Sequence, residues 1–360
     1  MSTTTAIATN ETATVAVSEL ASLLKAACVV ARRKRAVKIP VGAGLLRVSD
    51  GQISVCCSDG ELKAEYKSSA DGELRDAVLD IRHLELFLKL AKGDVAITRH
   101  DGRTTFVAGE LERSLPDIEG VDPDSFRPVV VDNSGDTVSG VGLRDAIGKL
   151  TPFIDKESSR YALGGIACYD GELAATDSRR LGIVKLAGIT TKEPKVIPAV
   201  LGKLIPDEAV EIRFSENHVS LVGSGCVIES PLVPGRFPKY RAVVQQHSAV
   251  SLDVATKSFL ECVTAASLAT SAESRAVSID VARGRMRLSG SSPENGRSAA
   301  SLMVGESEPI GLIDADPRFI KSCLKACGPT CVFETTDPDS QFVIRDDDFT
   351  GIVMPCSRDR

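Results

Sequence analysis

Cysteine, histidine and aspartate are the side chains that spacing could organise into a reactive or metal-binding site here. Cys323, Cys327 and Cys331 recur at every fourth position. Such steps put thiols on one face of a helix, where they could meet a soft metal ion. However, Ile320, Cys323, Leu324 and Cys327 also complete an apolar helical stripe, in which a free thiol acts as a small hydrophobe. The four histidines, His83, His100, His218 and His247, are scattered without His-x-x-x-His or Cys-His spacing. "VGAGLLRV" contains Gly-x-Gly, but it lacks a third glycine and leads into a strand rather than a helix, against a dinucleotide loop. Asp346-Asp347-Asp348 fits a solvated turn better than a cation site. No Gly-x-Ser-x-Gly elbow or phosphate loop occurs. These residues argue against an enzyme, and they predict neither a metal nor a cofactor.

The stretch "ELAATDSRRLGIVKL", residues 172 to 186, poses a different question, because it sets two adjacent cations, Arg179 and Arg180, between apolar strands. Other cations gather on helical segments. Lys25, Arg32, Arg33, Lys34 and Arg35 load the first helix and its exit, Arg144 and Lys149 sit on a second, and Lys257 begins a third. Any one of these is an ordinary solvated helix face; their recurrence points to a shared face that meets a polyanion. Aromatic residues make up 4% of the chain and tryptophan is absent, so phosphate contact fits better than base stacking. A net charge of −6 over 360 residues excludes a surface basic everywhere, yet leaves room for a local basic lining.

No apolar run approaches the roughly 20 residues that span a bilayer. The ten cysteines include the neighbours Cys56 and Cys57, and no paired spacing suggests a disulfide framework, so reduced thiols in a cytoplasmic setting are expected. The start, "MSTTTAIATNETATVAV", lacks the pattern of a secretory signal.

The elements that must position these residues repeat three times. "VSELASLLKAACVVARRK", "GVGLRDAIGKLTPFI" and "TKSFLECVTAASLA" each carry one apolar stripe at helical spacing. Each is followed by alternating strands, with turns at Asp50-Gly51, Asp170-Gly171 and Arg283-Gly284. A second helix comes next ("IRHLELFLKLAKG", the shorter "IPAVLGKLIP", "DPRFIKSCLKACG"), and then another hairpin. Short hairpin turns imply antiparallel sheets, so the expected class is α+β. The joints predict a disordered leader over 1–10 and three domains over 11–128, 129–248 and 249–360.

Three tandem helix-hairpin-helix-hairpin units with "AATDSRRLGIVK" in the middle one resemble the bacterial DNA polymerase III β subunit family, the β sliding clamps. "RYALGGI" ahead of that stretch, "LVPGRFPKYRAVV" closing the second unit and "GIVMPCSRDR" at the end match the family's order and spacing. The resemblance implies a non-enzymatic homodimeric ring of six similar domains around duplex DNA. It also implies a clamp loader to open the ring, and a groove for short peptides, often ending in Leu-Phe, from the polymerase III catalytic subunit and other partners. Carried onto this sequence, the groove takes Leu163, Leu181, Val243, Ile352 and Met354 as its apolar wall and Pro238 and Pro355 as its rim. Thr176, Ser178, Arg179 and Arg180 form the polar segment, and Phe319 borders it. The DNA-facing set is Lys25, Arg32, Arg33, Lys34, Arg35, Lys149 and Lys257, and the closing interface falls near Leu268 and Ala269. Ser178-Arg179 stands where the family usually has Gly-His, Ala242 where arginine is frequent, and Cys356-Ser357 where Met-Arg is common. These departures bear on peptide preference and also fit a divergent clamp copy serving repair or mobile-element replication. A cysteine-dependent hydrolase is the reading from another class; thiol alkylation without functional loss separates it from a clamp.

Overall fold

The structure, a computed structural model, describes residues 11–33, 38–131, 135–155, 157, 162–244, 248–271 and 275–356. The expected leader over 1–10, the cations Lys34 and Arg35, and the first two residues of "RYALGGI" lie outside the described residues.

Among the described residues, five α-helices form where the apolar stripes predict them or where an aspartate caps the chain. They are α1 (Val17–Ala31), α2 (Ile81–Leu88), α3 (Gly140–Leu150), α4 (Thr256–Ser267) and α5 (Pro317–Ala326). The first and third repeats start their second helix with one device. Asp80 accepts from the Arg82 amide to cap α2, and Asp316 accepts from the Arg318 amide to cap α5, each satisfying an otherwise orphaned donor. The middle repeat, whose second segment is short and bounded by prolines, forms only a 3-10 turn, Ala199–Lys203.

The strands pair antiparallel, as α+β patterning requires. The Asp-Gly hairpins turn with positive φ at both central residues: 56° and 73° at Asp50-Gly51, 47° and 76° at Asp170-Gly171. That is the primed turn whose twist matches the flanking strands. Arg283-Gly284 turns the same way, with 52° and 68°.

Contacts gather into two compact units: residues 1–141 with 200–232, and residues 142–199 with 233–360. Each is built around an eight-stranded sheet that runs across a joint between repeats. In the first unit Lys63–Ser69 pairs with Cys226–Pro231, and in the second Arg180–Lys185 pairs with Phe349–Val353. Each unit also holds a smaller sheet with an unpaired edge. Leu111–Pro116 ends the five-stranded sheet of the first, and Gly296–Met303 ends the four-stranded sheet of the second.

The seam of the second unit decides what lies on each face of its large sheet. Gly182 and Gly351 face each other across it. A Cβ on Gly182 would come within 2.9 Å of the Leu150 side chain, and one on Gly351 within 2.5 Å of Cys323 Sγ, so the glycines let α3 and α5 lie close against the strands. Leu181 and Ile352, one step along, point to the opposite face by strand alternation.

Candidate functional site

The turn after Glu172–Thr176 is held by its own side chains. The Thr176 hydroxyl donates to the Arg180 carbonyl at 2.6 Å and accepts from the Ser178 amide at 3.2 Å. Asp177 Oδ1 accepts from the amides of Arg179 and Arg180 at 3.1 and 3.0 Å. Ser178 has φ of 73°, a left-handed conformation that a residue with a Cβ adopts at a cost. Short polar side chains that bond their own backbone are what stabilise such a turn. The Met354 amide donates to the Arg179 carbonyl at 2.9 Å, so the same turn fixes the start of the C-terminal segment.

On the face carrying Leu181, several sequence-predicted residues come together. Leu163, Leu181 and Ile352 share one apolar cluster with Phe237, Tyr240 and Val343, bordered by Val244 and Tyr169. Val243 and Met354 are about half exposed, at 49% and 46%, whereas Leu181 is 4% exposed. The apolar cluster is therefore buried, while Val243 and Met354 reach solvent. Pro238 is half-buried two residues before Tyr240, and Pro355 is half-buried after Met354. Phe237 and Tyr240, packed edge to face at 5.8 Å, were not singled out from the sequence. Their signal was present in "GRFPKY", two aromatic residues bracketing a proline.

Arg180 and Phe319 take a different place. Strand alternation turns Arg180 to the helix side, where its guanidinium lies 4.5 Å from the Phe319 ring centre and 5.2 Å from that of Phe153. It donates to Asp177 Oδ2 at 2.9 Å, to Ser322 Oγ at 2.8 Å and to the Pro152 carbonyl. Each of its three guanidinium nitrogens has an internal acceptor, so it braces the turn against α5 and the 3-10 turn that follows α3. The Thr176 hydroxyl is likewise used within the turn. Arg179 and Ser178 remain exposed beside the cluster.

The predicted basic residues divide. Lys25 and Lys257 are exposed and Lys149 is half-buried. Arg32 is ion-paired to Glu85, and Arg33 Nε lies 2.8 Å from the buried carboxylate of Asp59. Leu268 is 73% exposed, while its neighbour Ala269 is buried.

Among the described residues no group of three or more His, Cys, Asp or Glu could hold a metal ion, and no helix is long and apolar enough to cross a membrane. Burial pushes the thiols of Cys28, Cys56, Cys168 and Cys323 up to about 12, so at neutral pH they are protonated and poor nucleophiles. Cys331 moves down instead, because the Cys327 thiol hydrogen-bonds to it.

No protein-family model matches the chain. It is 25% identical over 296 residues to a "Beta sliding clamp" of Vibrio cholerae, covering 75% of this chain and 78% of that one. A "Beta sliding clamp" of Caulobacter vibrioides is 25% identical over 377 residues, covering 94% and 98%, and that of Bacillus subtilis is 26% identical over 352, covering 88% and 92%. Among solved structures, a Bacillus subtilis DNA polymerase sliding clamp superposes with a TM-score of 0.85 at 21% identity, covering 97% of this chain and all of that one. A Pseudomonas aeruginosa DNA polymerase III subunit β bound to griselimycin gives 0.83 at 19%, covering 97% and 100%. The resemblance read from the sequence is thus borne out by its relatives, and the fold is that of the DnaN sliding clamps.

Proposed function

We propose that this chain is a DNA sliding clamp without catalytic activity, a homodimeric ring that encircles duplex DNA and tethers the polymerase III catalytic subunit. The observation that supports this reading is that Leu163, Leu181 and Ile352, from three segments distant in sequence, share one buried apolar cluster, while Val243 and Met354 are half exposed. An apolar anchor in a pocket is how a short peptide gains useful affinity. Such a groove serves partners bearing a clamp-binding motif, including a clamp loader that opens the ring.

Ring closure follows from the edges. Leu111–Pro116 in the first unit and Gly296–Met303 in the second are edge strands, each paired on one side only among the described residues, and head-to-tail association would let the small sheet of one subunit continue into the other's, covering both edges. The exposed Leu268 and Met303, at 73% and 72%, would be covered in the same contact. Inside the ring, Lys25, Lys149 and Lys257 would meet phosphates without reading sequence, which permits sliding. Arg32 and Arg33, being paired to carboxylates, contribute less. The three-domain division, 11–128, 129–248 and 249–360, is the arrangement that gives six similar units per ring.

Retention on DNA tests this directly. After loading, the protein should stay on a nicked circle at salt that strips ordinary DNA binders, and should leave within minutes once the circle is linearised. Equal loss from circle and line would reject the reading. Sedimentation should show a dimer that Leu268→Asp converts to folded monomer; a variant that sediments unchanged would remove Leu268 from the interface.

A further inference from the structure

Cys323, Cys327 and Cys331 do not share one helix face. The helix α5 ends at Ala326, Cys327 is its C-cap, and Cys331 lies in the strand Thr330–Thr335. Gly328, Pro329 and Thr330 join the two sulfurs' residues, and the join is fastened along its length. The Cys327 amide donates to the Cys323 carbonyl at 3.2 Å, and the Gly328 amide to Asp346 Oδ2 at 2.6 Å. The Thr256 amide donates to the Pro329 carbonyl at 3.0 Å, and Cys331 pairs with Val254 in the sheet. The two sulfurs are thereby held together, with the Cys327 thiol donating to that of Cys331.

Their surroundings set these thiols apart from the other buried ones. At Cys331 the Cys327 thiol and then the Thr256 hydroxyl favour the thiolate, and together they outweigh burial and the nearby Asp346. Thr256 is 7% exposed, and its hydroxyl has no other partner among the described residues. Cys331 is 2% exposed whereas Cys327 is half-buried, so a small solute meets Cys327 first. Cys323, one helical turn back, is turned away from both. It is fully buried, and its Sγ lies where a Cβ on Gly351 would come within 2.5 Å, against the seam of the large sheet.

We propose that Cys327 and Cys331 are a redox-active dithiol, which hydrogen peroxide converts to a disulfide between the end of α5 and the strand that follows. The first proton leaves the hydrogen-bonded pair rather than either sulfur alone, and the proton that stays can sit on Cys331. The Cys327 thiolate then attacks one peroxide oxygen. An S–O bond forms, the O–O bond breaks, and the departing hydroxide takes the Cys331 proton and leaves as water. The Cys331 thiolate attacks the Cys327 sulfenic acid, forming the S–S bond and expelling hydroxide, which the first proton neutralises. Two thiols and one peroxide thus become one disulfide and two waters, with two electrons passing from sulfur to oxygen. The bond would tether the far end of the helix whose Phe319 and Ser322 hold Arg180. Nothing in this chemistry depends on ring assembly or on the groove.

Peptide mapping tests it. The full-length protein is treated with a few equivalents of hydrogen peroxide, its free thiols are alkylated with iodoacetamide in denaturant, and it is digested with trypsin. Residues 326–345 leave as one peptide that contains both cysteines, while Cys323 leaves on another. The expected product is that peptide without either alkyl group and two hydrogens lighter than the dithiol, regaining both groups after dithiothreitol. Peptides carrying Cys28 and Cys168 should stay alkylated at the same dose. In Cys327→Ser, Cys331 should also remain alkylated, because the buried sulfur is not reached by itself. Retention of both alkyl groups at a dose that oxidises the exposed Cys356 would overturn the proposal, as would a link from Cys327 to the Cys323 peptide. Oxidation of Cys331 in Cys327→Ser at the wild-type rate would overturn the assignment of Cys327 as the sulfur attacked first.

Discussion

Arg180 does more for the fold than an exposed rim cation would. Its guanidinium lies between two aromatic rings and reaches three oxygens on separate segments, with its side chain 13% exposed. Arg180→Ala should lower stability by about 2–3 kcal/mol in denaturant titration, because stacking and the bond to the Pro152 carbonyl are lost together. Arg180→Lys should recover little, since an ammonium cannot stack and fork at once; full recovery would show that charge alone matters. Ser178 makes a second test. At φ of 73° a β-branched Val should cost more than about 1 kcal/mol, whereas Gly should be neutral or slightly stabilising. At this scale Leu181 and Ile352 were legible through the family resemblance, and strand alternation puts both on one face. The same alternation separates Arg180 from Leu181. Reading the arginines as an adjacent pair concealed that their side chains leave the strand end in different surroundings.

The turn that holds the groove is an element used twice. In the first unit the Gly60 amide donates to Ser58 Oγ at 3.0 Å, and the amides of Glu61 and Leu62 donate to Asp59 Oδ1 at 3.1 and 2.8 Å. This repeats the bonding of Thr176, Asp177 and Ser178. At the seam, however, Lys63 faces Glu229 where Leu181 faces Ile352. One scaffold thus presents an apolar pair in the second unit and a charged pair in the first. Leu181→Ala should cost about 2–4 kcal/mol along with peptide binding, because its side chain is buried. Met354→Ala, at a half-exposed wall, should weaken the peptide with little change in melting; a large stability loss would make Met354 structural. The cap of α5 gives a pH expectation. Burial alone would raise the Asp316 carboxyl, but hydrogen bonds from the Arg318 side chain and amide outweigh it and hold it below the usual range. A depressed folded pKa stabilises fully above the ordinary carboxylate value, about 3.9, and the gain is lost as pH falls below it toward the folded value. Asp316→Ala should therefore cost stability at pH 7 and much less near pH 2. The repeats themselves were legible from stripes and Asp-Gly turns. The crossing of sheets from one repeat to the next was not, because edge-to-edge pairing leaves no local pattern in either strand.

For the whole molecule, on the proposed clamp reading, the net charge of −6 and the paired state of Arg32 and Arg33 predict weak contact with DNA, so that topology rather than affinity would keep the protein in place. Loading should accordingly weaken with salt more gently than for a protein that grips many phosphates. A steep slope would indicate an ordinary binder. All of this depends on a closed ring, and single-particle electron microscopy of the full-length protein, at concentrations where sedimentation shows a dimer, tests it most directly. The expected image is a closed ring of two subunits with six lobes and a central opening wide enough for a double helix. Particles without such an opening would contradict it.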